Sequence, residues 1–286
     1  MNVIHTRVDR YGSNAVPFLV NVFKSRLESY PLFHDCSGNC KKRGLDRMIM
    51  HQFLVSNTLH TSKASPGTVL EPITNKIWSP RITCKDLFNK YNKTFPELFF
   101  DSSTFHEVRQ IYFDAYGGGQ KSLKTQNATV IHLRLNDLLT DFNPSTKEIT
   151  WNNKFRTTIP QQYLSIEDGV KLVNFCLSKF ERPVFLSSTV FSDIDYAICL
   201  TILKESNLQV DNYSDYILGS SDEDFDLFNM ISGKNFISSC STFALLTGLL
   251  HENPFSADSW LHYSDLLGRE NHQCSRFPIL AWRDSK

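Results

Sequence analysis

The sequence predicts an α/β protein with parallel sheets, and three observations indicate this. Residues 128–250 alternate compact apolar runs of strand length with amphipathic runs of helix length. Such alternation is typical of parallel strands joined by helices that cover both faces of the sheet. The length of 286 residues suits two domains of common size. Because the glycine-rich stretch 117–121 separates the halves, we expect an N-terminal domain over 1–120 and a C-terminal domain over 121–286.

In the C-terminal half the predicted elements follow one another in regular order. Each predicted helix begins at a serine that can cap it, as in the capping-box pattern of Ser165-Ile166-Glu167-Asp168. The predicted strands are residues 128–133, 184–188, 208–210 and 235–239, and the helices between and after them begin at Ser165, Ser192, Ser221 and Ser241. In such sheets ligands bind at the carboxyl ends of the strands, beside the helix N-termini.

The N-terminal half has the same character with weaker signals. A short strand is predicted over residues 2–8, and a polar turn over 9–14 leads into a helix whose apolar residues recur at helical spacing from Val16 to Leu27. A second strand at Leu32 and Phe33 opens into a polar loop that starts at His34.

Composition and charge exclude several classes of protein. The 30 basic side chains are balanced by 30 acidic ones, and no block of like charges occurs, so we expect no nucleic-acid partner. No run approaches the roughly 20 apolar residues of a membrane helix, and residues 1–10 lack the form of a signal peptide. The seven scattered cysteines favour free thiols in a reducing compartment. We therefore expect a cytoplasmic protein without a membrane anchor.

A strand that ends with an arginine is the first candidate for a functional site. Residues 130–133 are apolar apart from His132, and Arg134 and Asp137 follow them. The planar guanidinium of an arginine at the carboxyl end of a strand suits bidentate binding of a phosphate.

Two serine-bearing turns are the second candidate. Ser241 and Thr242 stand between a predicted strand and a predicted helix, where unpaired amides, the positive helix end and hydroxyl groups favour an anion. Ser241 also suits the cap of that helix. Ser187 and Ser188 follow another predicted strand in the same way, which favours one shared site.

Motifs in three parts of the chain resemble those of the fucosyltransferase superfamily, which includes the α-1,2, α-1,6 and protein O-fucosyltransferases. His132-x-Arg134-x-x-Asp137 is similar to its H-x-R-R-x-D motif, with Leu135 in place of the second arginine. The loop at residues 10–14 resembles its G-R-x-G-N loop. A third motif is matched in register by Asp226, Met230, Ile237, Ser241, Thr242 and Phe243.

The resemblance implies a GT-B glycosyltransferase, with two Rossmann-like domains whose parallel sheets face a central cleft. Such an enzyme is inverting and metal-independent, and it moves a single sugar from a nucleoside-diphosphate sugar to a hydroxyl of a glycan. Because Leu135 departs from the motif, GDP-fucose and UDP-xylose both remain candidate donors. No cofactor is implied beyond this donor substrate. Soluble relatives of this kind occur in bacteria and large algal viruses, where the location is the host cytoplasm; the oligomeric state stays open.

The resemblance also implies roles for individual residues. Arg134 holds the donor diphosphate, and Ser241 and Thr242 form hydrogen bonds with its phosphates. The predicted donor-binding set is His132, Arg134, Ser187, Ser188, Asp226, Ser241, Thr242 and Phe243, and the predicted acceptor-side loop contributes Gly12, Ser13, Asn14 and His34. The candidates for catalysis are Arg134, Asn14, Asp9, Asp35 and Asp137, with Asp141 as a further candidate base.

Two other interpretations stay open. The strings Asp193-Ile194-Asp195, Asp222-Glu223-Asp224 and Asp224-Phe225-Asp226 have the D-x-D form of metal-dependent glycosyltransferases. Each stands at a predicted helix start, where acidic residues cap the helix, so we favour capping and expect no metal. Alternatively, the loss of the second arginine at Leu135 is compatible with a glycan- or nucleotide-binding module without catalysis.

Overall fold

The structure is a computed structural model, and the chain divides into two compact units. The residues that it describes are 2–5, 11–35, 47–69, 71–72, 90, 103–135, 138–152, 164–188, 192–239, 241–252 and 260–262. One unit comprises residues 1–112 with 276–286, and the other comprises residues 113–275. The roles predicted for the halves 1–120 and 121–286 stay predictions.

The first unit is built on a parallel sheet. Its elements are β1 (Asn2–His5), α1 (Tyr11–Glu28), β2 (Phe33–Asp35), α2 (Ile49–Ser56), β3 (Leu59–His60), β4 (Glu71–Pro72) and α3 (Ser103–Gly117), in which the division between the units falls. The strand order is β3-β2-β1-β4, and every neighbouring pair is parallel. Helix α1 forms because its recurring apolar residues, among them Val16, Leu19 and Phe23, are buried.

The second unit is built on a larger parallel sheet. Its elements are β5 (Thr129–His132), β6 (Leu139–Asn143), β7 (Glu148–Trp151), α4 (Ile166–Phe180), β8 (Val184–Ser187), α5 (Asp193–Glu205), β9 (Ile217–Leu218), α6 (Glu223–Ser232), β10 (Asn235–Ser238), α7 (Thr242–Leu250) and β11 (Trp260–His262). The order β11-β10-β5-β8-β9 is parallel throughout, and β6 and β7 form a separate antiparallel hairpin. The predicted α/β class with parallel sheets is confirmed.

Strand β5 lies at the centre of the second sheet and is buried on both faces. Ile131 and Ile237 belong to the hydrophobic core that includes residues of α4 and α5. Val130 and its cross-strand neighbours Phe185 and Phe236 alternate to the opposite face and are also buried. Because both faces are covered, the strand is a continuous apolar run, and this is why it was recognisable in the sequence.

The order of strands reverses beside β5. From β5 the chain moves outward to β8 and β9, and it then returns to the other side of β5 with β10 and β11. In open parallel sheets, ligands bind where the strand order reverses, outside the carboxyl ends of the strands. The topology therefore predicts a ligand site at the carboxyl ends of β5 and β10.

Two predictions for the second unit are wrong. Residues 208–210 form no strand, and the strand that pairs with β8 is β9, which follows the 3-10 helix Tyr213–Tyr216. With two residues, β9 is too short to produce a recognisable periodicity. Helix α6 is capped by Asp222 rather than Ser221, because the Asp222 carboxylate accepts hydrogen bonds from two backbone amides and complements the helix dipole.

The starts of α4 and α5 are as predicted. Ser165 and Ser192 each accept a hydrogen bond from the backbone N–H three residues later, at Asp168 and Asp195, and each aspartate accepts one from the backbone N–H of its serine. Both are therefore complete capping boxes. In the described part of the chain, none of the helices is both long and apolar enough to cross a membrane.

Close packing of α4 on α5 predicts the effect of enlarging Gly169. A Cβ atom on Gly169 would lie 2.5 Å from Cδ1 of Ile202. We expect Gly169→Ala to lower the free energy of unfolding by about 1–3 kcal/mol, despite the better helix propensity of alanine. Urea denaturation measures this change. In an Ile202→Ala background the same substitution should cost little, and an equal loss in both backgrounds would contradict the packing.

Candidate functional site

Polar side chains gather where the central strands of the second unit end, here called the carboxyl edge. His132 ends β5 and Arg134 follows, while Ser187 ends β8 and Ser188 follows. His132 and Ser187 are paired neighbours in the sheet. Ser239 follows β10 on the other side of β5. The loop that carries Arg134 therefore starts from a strand that lies between two strands ending in serine-bearing turns.

A chain of hydrogen bonds connects the end of β5 with the start of α7. Nδ1 of His132 lies 2.7 Å from Oγ of Ser239, and the Ser239 hydroxyl donates to Oγ of Ser241 at 3.3 Å. Ser241 is the N-cap of α7, and its Oγ accepts a hydrogen bond from the Ala244 N–H at 3.0 Å. In this arrangement His132 donates its Nδ1 proton to Ser239. Because Ser241 accepts twice, its own hydroxyl hydrogen can be donated to a bound anion.

His132 is neutral at physiological pH. Burial, and after it the positive charge of Arg134, lowers the pKa of His132 to about 3. The imidazole is 0% exposed, and its ring centroid lies 5.8 Å from that of Phe243. His132 therefore contributes to this edge by holding the Ser239 hydroxyl, which in turn contacts the cap of α7.

Ser187 and Ser188 bring unsatisfied hydrogen-bonding groups to the same edge. Their hydroxyls are buried and have no hydrogen-bond partner among the described residues. Burying a hydroxyl without a partner costs roughly 1–3 kcal/mol. A ligand with acceptor oxygens at the end of β8 would supply a partner for a hydroxyl of this kind.

Asp226 forms a hydrogen bond with the backbone of the loop that follows β9. Its side chain is 1% exposed, and Oδ2 accepts a hydrogen bond from the Ser220 N–H at 3.1 Å. Burial raises the pKa of Asp226 to about 6, although the hydrogen bonds from Ser220 act in the opposite direction. The carboxylate predicted for donor binding is thus engaged with the backbone of the β9–α6 loop.

Taken together, these groups can hold an anion. Arg134 supplies a permanent positive charge with planar donors. The N-terminus of α7 supplies a partial positive charge, and the hydroxyls of Ser187, Ser188 and Ser241 supply further donors. The fold and this edge therefore define an α/β protein whose carboxyl edge suits a phosphate or diphosphate group.

The D-x-D strings serve the starts of helices. Asp195 completes the capping box of α5, and Asp222 caps α6. The capping interpretation is confirmed for both residues. Across the residues that the structure describes, no three His, Cys, Asp or Glu side chains are grouped so that they could hold a metal ion.

The acceptor-side loop predicted over residues 12–14 is helical, so that part of the prediction is wrong. Helix α1 begins at Tyr11, which places Gly12, Ser13 and Asn14 in its first turn. Ala15, which precedes the predicted apolar run, is buried together with Val16, so the buried face extends further toward the N-terminus than the sequence pattern indicated. The side chains of Ser13 and Asn14 lie outside the described residues.

Other predicted site residues divide into two groups. Asp9, Asp137 and the Thr242 side chain lie outside the described residues. His34 and Asp35 are described, and they form the carboxyl end of β2 in the first unit, so the prediction that a polar loop starts at His34 is wrong. The strand continues through His34 because this residue pairs with His60 of β3.

Several residues of interest were missed by sequence reasoning. Ser239 stands in a serine run that the sequence singled out, but nothing local distinguished it from Ser241. Thr58 and His60 were missed because they contact a residue distant in sequence, His34, which lies 24 residues before Thr58. Ser220 was missed although its partner Asp226 is only six residues away, because the loop between them has no periodic pattern.

Among the comparisons with known proteins, only the comparison with solved structures found a match. No protein-family model matches the chain, and neither does any curated protein. The chain is similar to crystal structures of POFUT1, a protein O-fucosyltransferase. With the GDP complex the TM-score is 0.39 at 12% identity, and with the GDP-fucose complex it is 0.38 at 12% identity; each match covers 92% of this chain and 97% of that chain. Another GDP crystal form gives 0.38 at 11% identity, covering 91% and 97%.

The raised pKa of Asp226 predicts a pH-dependent cost to stability. Since the folded protein binds this proton more tightly than the unfolded chain, whose carboxyl titrates near 3.8, stability falls as pH rises from about 4 to about 6. Asp226→Asn removes this titration and keeps an acceptor for the Ser220 amide. We expect the variant to gain up to about 3 kcal/mol relative to wild type between pH 4 and pH 7.

Urea denaturation at several pH values measures this gain. The matched control is Asp215→Asn, which replaces an exposed aspartate of the same unit. The pH-dependent gain should be larger in Asp226→Asn than in this control. A difference from wild type that does not change with pH in Asp226→Asn would contradict the burial of a titrating carboxyl.

Proposed function

We propose that the chain is a glycosyltransferase that uses a nucleoside-diphosphate sugar. One observation carries this proposal: the Arg134 loop follows β5, which lies between strands ending at Ser187–Ser188 and Ser238–Ser239, where the order of strands reverses. This position and these donors suit a diphosphate. Among ligands that carry phosphate, a sugar nucleotide is favoured because the motifs around His132 and Arg134 resemble those of the fucosyltransferase superfamily.

The donor is proposed to be GDP-fucose or UDP-xylose. Leu135 occupies the place of the second motif arginine, and its side chain is 1% exposed within the hydrophobic core. A charged group there would be buried away from any ligand. The proposed site therefore balances the diphosphate charge with Arg134, the α7 terminus and serine hydroxyls rather than with two motif arginines.

The proposed reaction is an inverting displacement without a metal, in an enzyme of the GT-B type. The oxygen of an acceptor hydroxyl bonds to the anomeric carbon of the sugar while the bond from that carbon to the diphosphate breaks. The diphosphate leaves with the electron pair, and Arg134 and the Ser241 hydroxyl stabilise its charge. The proton of the hydroxyl passes to a base, and the glycan acceptor is assigned to the first unit.

Replacement of Arg134 tests the proposed donor site. We expect Arg134→Ala to weaken GDP binding about 10- to 150-fold, or roughly 1.5–3 kcal/mol, because a charge-assisted contact with phosphate is lost. Titration calorimetry with GDP, UDP, GDP-fucose and UDP-xylose, each with and without EDTA, measures the affinity and identifies the nucleotide. The melting temperature checks that the variant is folded.

The matched control is Arg182→Ala, because Arg182 precedes β8 at the opposite end of that strand. It should bind nucleotide as wild type does. Unchanged affinity in Arg134→Ala would remove Arg134 from the site. Binding only when a divalent metal is present would favour a metal-dependent transferase, and binding without sugar transfer would favour a non-catalytic module.

A further inference from the structure

A cavity opens at the amino end of β8, at the end of the second unit's sheet that lies opposite to the carboxyl edge. Its volume is about 570 Å³, within the range of small-molecule sites, which is roughly 300–1,000 Å³. Its walls come from the last two turns of α4, the segment 181–183 that leads into β8, the segment 207–210 after α5 and the 3-10 helix Tyr213–Tyr216. The proposed reaction makes no use of this cavity.

The ends of two helices give the cavity a polarity opposite to that of the carboxyl edge. Helix α4 ends at Phe180 and helix α5 at Glu205, and the lining residues belong to these helix ends or follow them. A helix C-terminus carries a partial negative charge and leaves carbonyl oxygens that accept hydrogen bonds. Of the described residues that line the cavity, Glu181 and Arg182 are charged, and their charges balance. The cavity therefore disfavours a phosphate and suits a neutral ligand that carries hydroxyl groups.

Two amide side chains in the wall supply hydrogen-bonding groups. Oδ1 of Asn174 accepts a hydrogen bond from the Asn207 N–H at 2.7 Å, which orients this amide. Its Nδ2 is a donor for which the described residues provide no partner. Gln209 is exposed and adds a second amide, with both a donor and an acceptor. Such amides suit the neighbouring hydroxyls of a sugar, because each hydroxyl both donates and accepts.

An aromatic ring lies beside these amides. Tyr216 lines the cavity, and its ring stacks on that of Phe185 with centroids 5.1 Å apart and planes 27° apart. This stack holds the half-buried tyrosine ring in place. Leu177 and Val210 add apolar surface to the same walls. The ring and this apolar surface suit the C–H face of a sugar ring, and the phenol hydroxyl suits its polar edge.

Glu181 has a backbone conformation that favours glycine. At the C-cap of α4 its φ is 50° and its ψ is 41°, which is the left-handed conformation. Glycine is the usual residue at such a helix end, because a side chain there costs free energy. A side chain that is kept at a cost to the fold is expected where it contacts a ligand.

We propose that this cavity is a binding site for a neutral saccharide. The amides of Asn174 and Gln209, the Glu181 carboxylate and the helix carbonyls form hydrogen bonds with its hydroxyls, while Tyr216 packs against a sugar ring. No covalent bond forms or breaks there, so the site holds a glycan chain without reacting with it. The site is separate from the proposed nucleotide site, and it does not depend on the proposed function.

NMR titration of the full chain, labelled with nitrogen-15, tests this site without any nucleotide. The probes are trisaccharides of xylose, mannose, galactose and N-acetylglucosamine, each added separately. At least one of them should shift the amide signals of residues 174–183 and 207–216 in a saturable way. Saturating GDP should leave the Kd of that saccharide unchanged. If none of the four shifts these signals, the proposal is overturned.

Two variants and a matched control identify the residues that bind. Tyr216→Ala should raise the saccharide Kd about 10-fold or more, and Gln209→Ala about 3- to 10-fold, as for loss of one neutral hydrogen bond. Because the Gln209 side chain is exposed and forms no hydrogen bond with a described residue, its variant stays informative even if Tyr216→Ala fails to fold. Tyr196→Ala replaces a tyrosine of α5 that is 38% exposed and does not line the cavity, and it should bind as wild type does. Wild-type affinity in Gln209→Ala and Tyr216→Ala overturns the proposal.

Glu181→Gly separates contact with the ligand from a role in the fold. Since glycine suits the left-handed conformation, the urea midpoint should not fall. Saccharide affinity should nevertheless fall about 3- to 10-fold, because a hydrogen-bond acceptor is lost. A lower urea midpoint with unchanged saccharide affinity would overturn the proposed contact of Glu181 with the ligand.

Failure of this site and failure of the proposed function give different results. Saccharide binding by a chain that binds no GDP supports this site and contradicts the proposed function. GDP binding and sugar transfer without a saccharide-dependent shift at residues 174–183 and 207–216 overturn this site alone.

Discussion

Burial of β5 on both faces is the constraint on which the second unit depends. A central strand can pair its backbone only if β8 and β10 lie on either side, and it stays dry only if helices cover both faces. Because the strands are parallel, their carboxyl ends lie along one edge of the sheet. The chain leaves the sheet at this edge, and the N-termini of the following helices lie close to it. The anion site proposed around Arg134 and Ser241 therefore depends on the topology as much as on the side chains.

Polar groups at that edge are buried at a cost to the fold. Burial keeps His132 neutral, and its Nδ1 forms a hydrogen bond with Ser239. Burial also raises the pKa of Asp226. The hydroxyls of Ser187 and Ser188 are buried without a partner among the described residues. Local conflicts with stability of this kind are expected where a protein binds a ligand, because the ligand supplies the missing partners.

The two units place different chemistry at the carboxyl ends of their strands. The second unit offers a positive charge, a helix terminus and hydroxyl donors, which suit a negatively charged diphosphate. The first unit places His34 and His60 there, with their rings edge to face.

The sequence by itself determined the α/β class, the central strands β5, β8 and β10, the capping of α4 and α5, and the positions of Arg134 and Ser241 at the ends of their elements. These features depend on periodicity and hydrogen bonds within a few residues, so they are visible locally. Strand β9 and the hairpin β6-β7 were not predicted from the sequence. Strand β9 has only two residues and is defined by its pairing with β8, and the segment of the hairpin has no clear alternation of apolar and polar residues. The contacts of His132 with Ser239, 107 residues away, and of His34 with Thr58, 24 residues away, were decided only by the tertiary structure. The reason is physical: a tautomer or a buried hydrogen bond is fixed by the atoms that surround it, and folding brings those atoms together from distant parts of the chain.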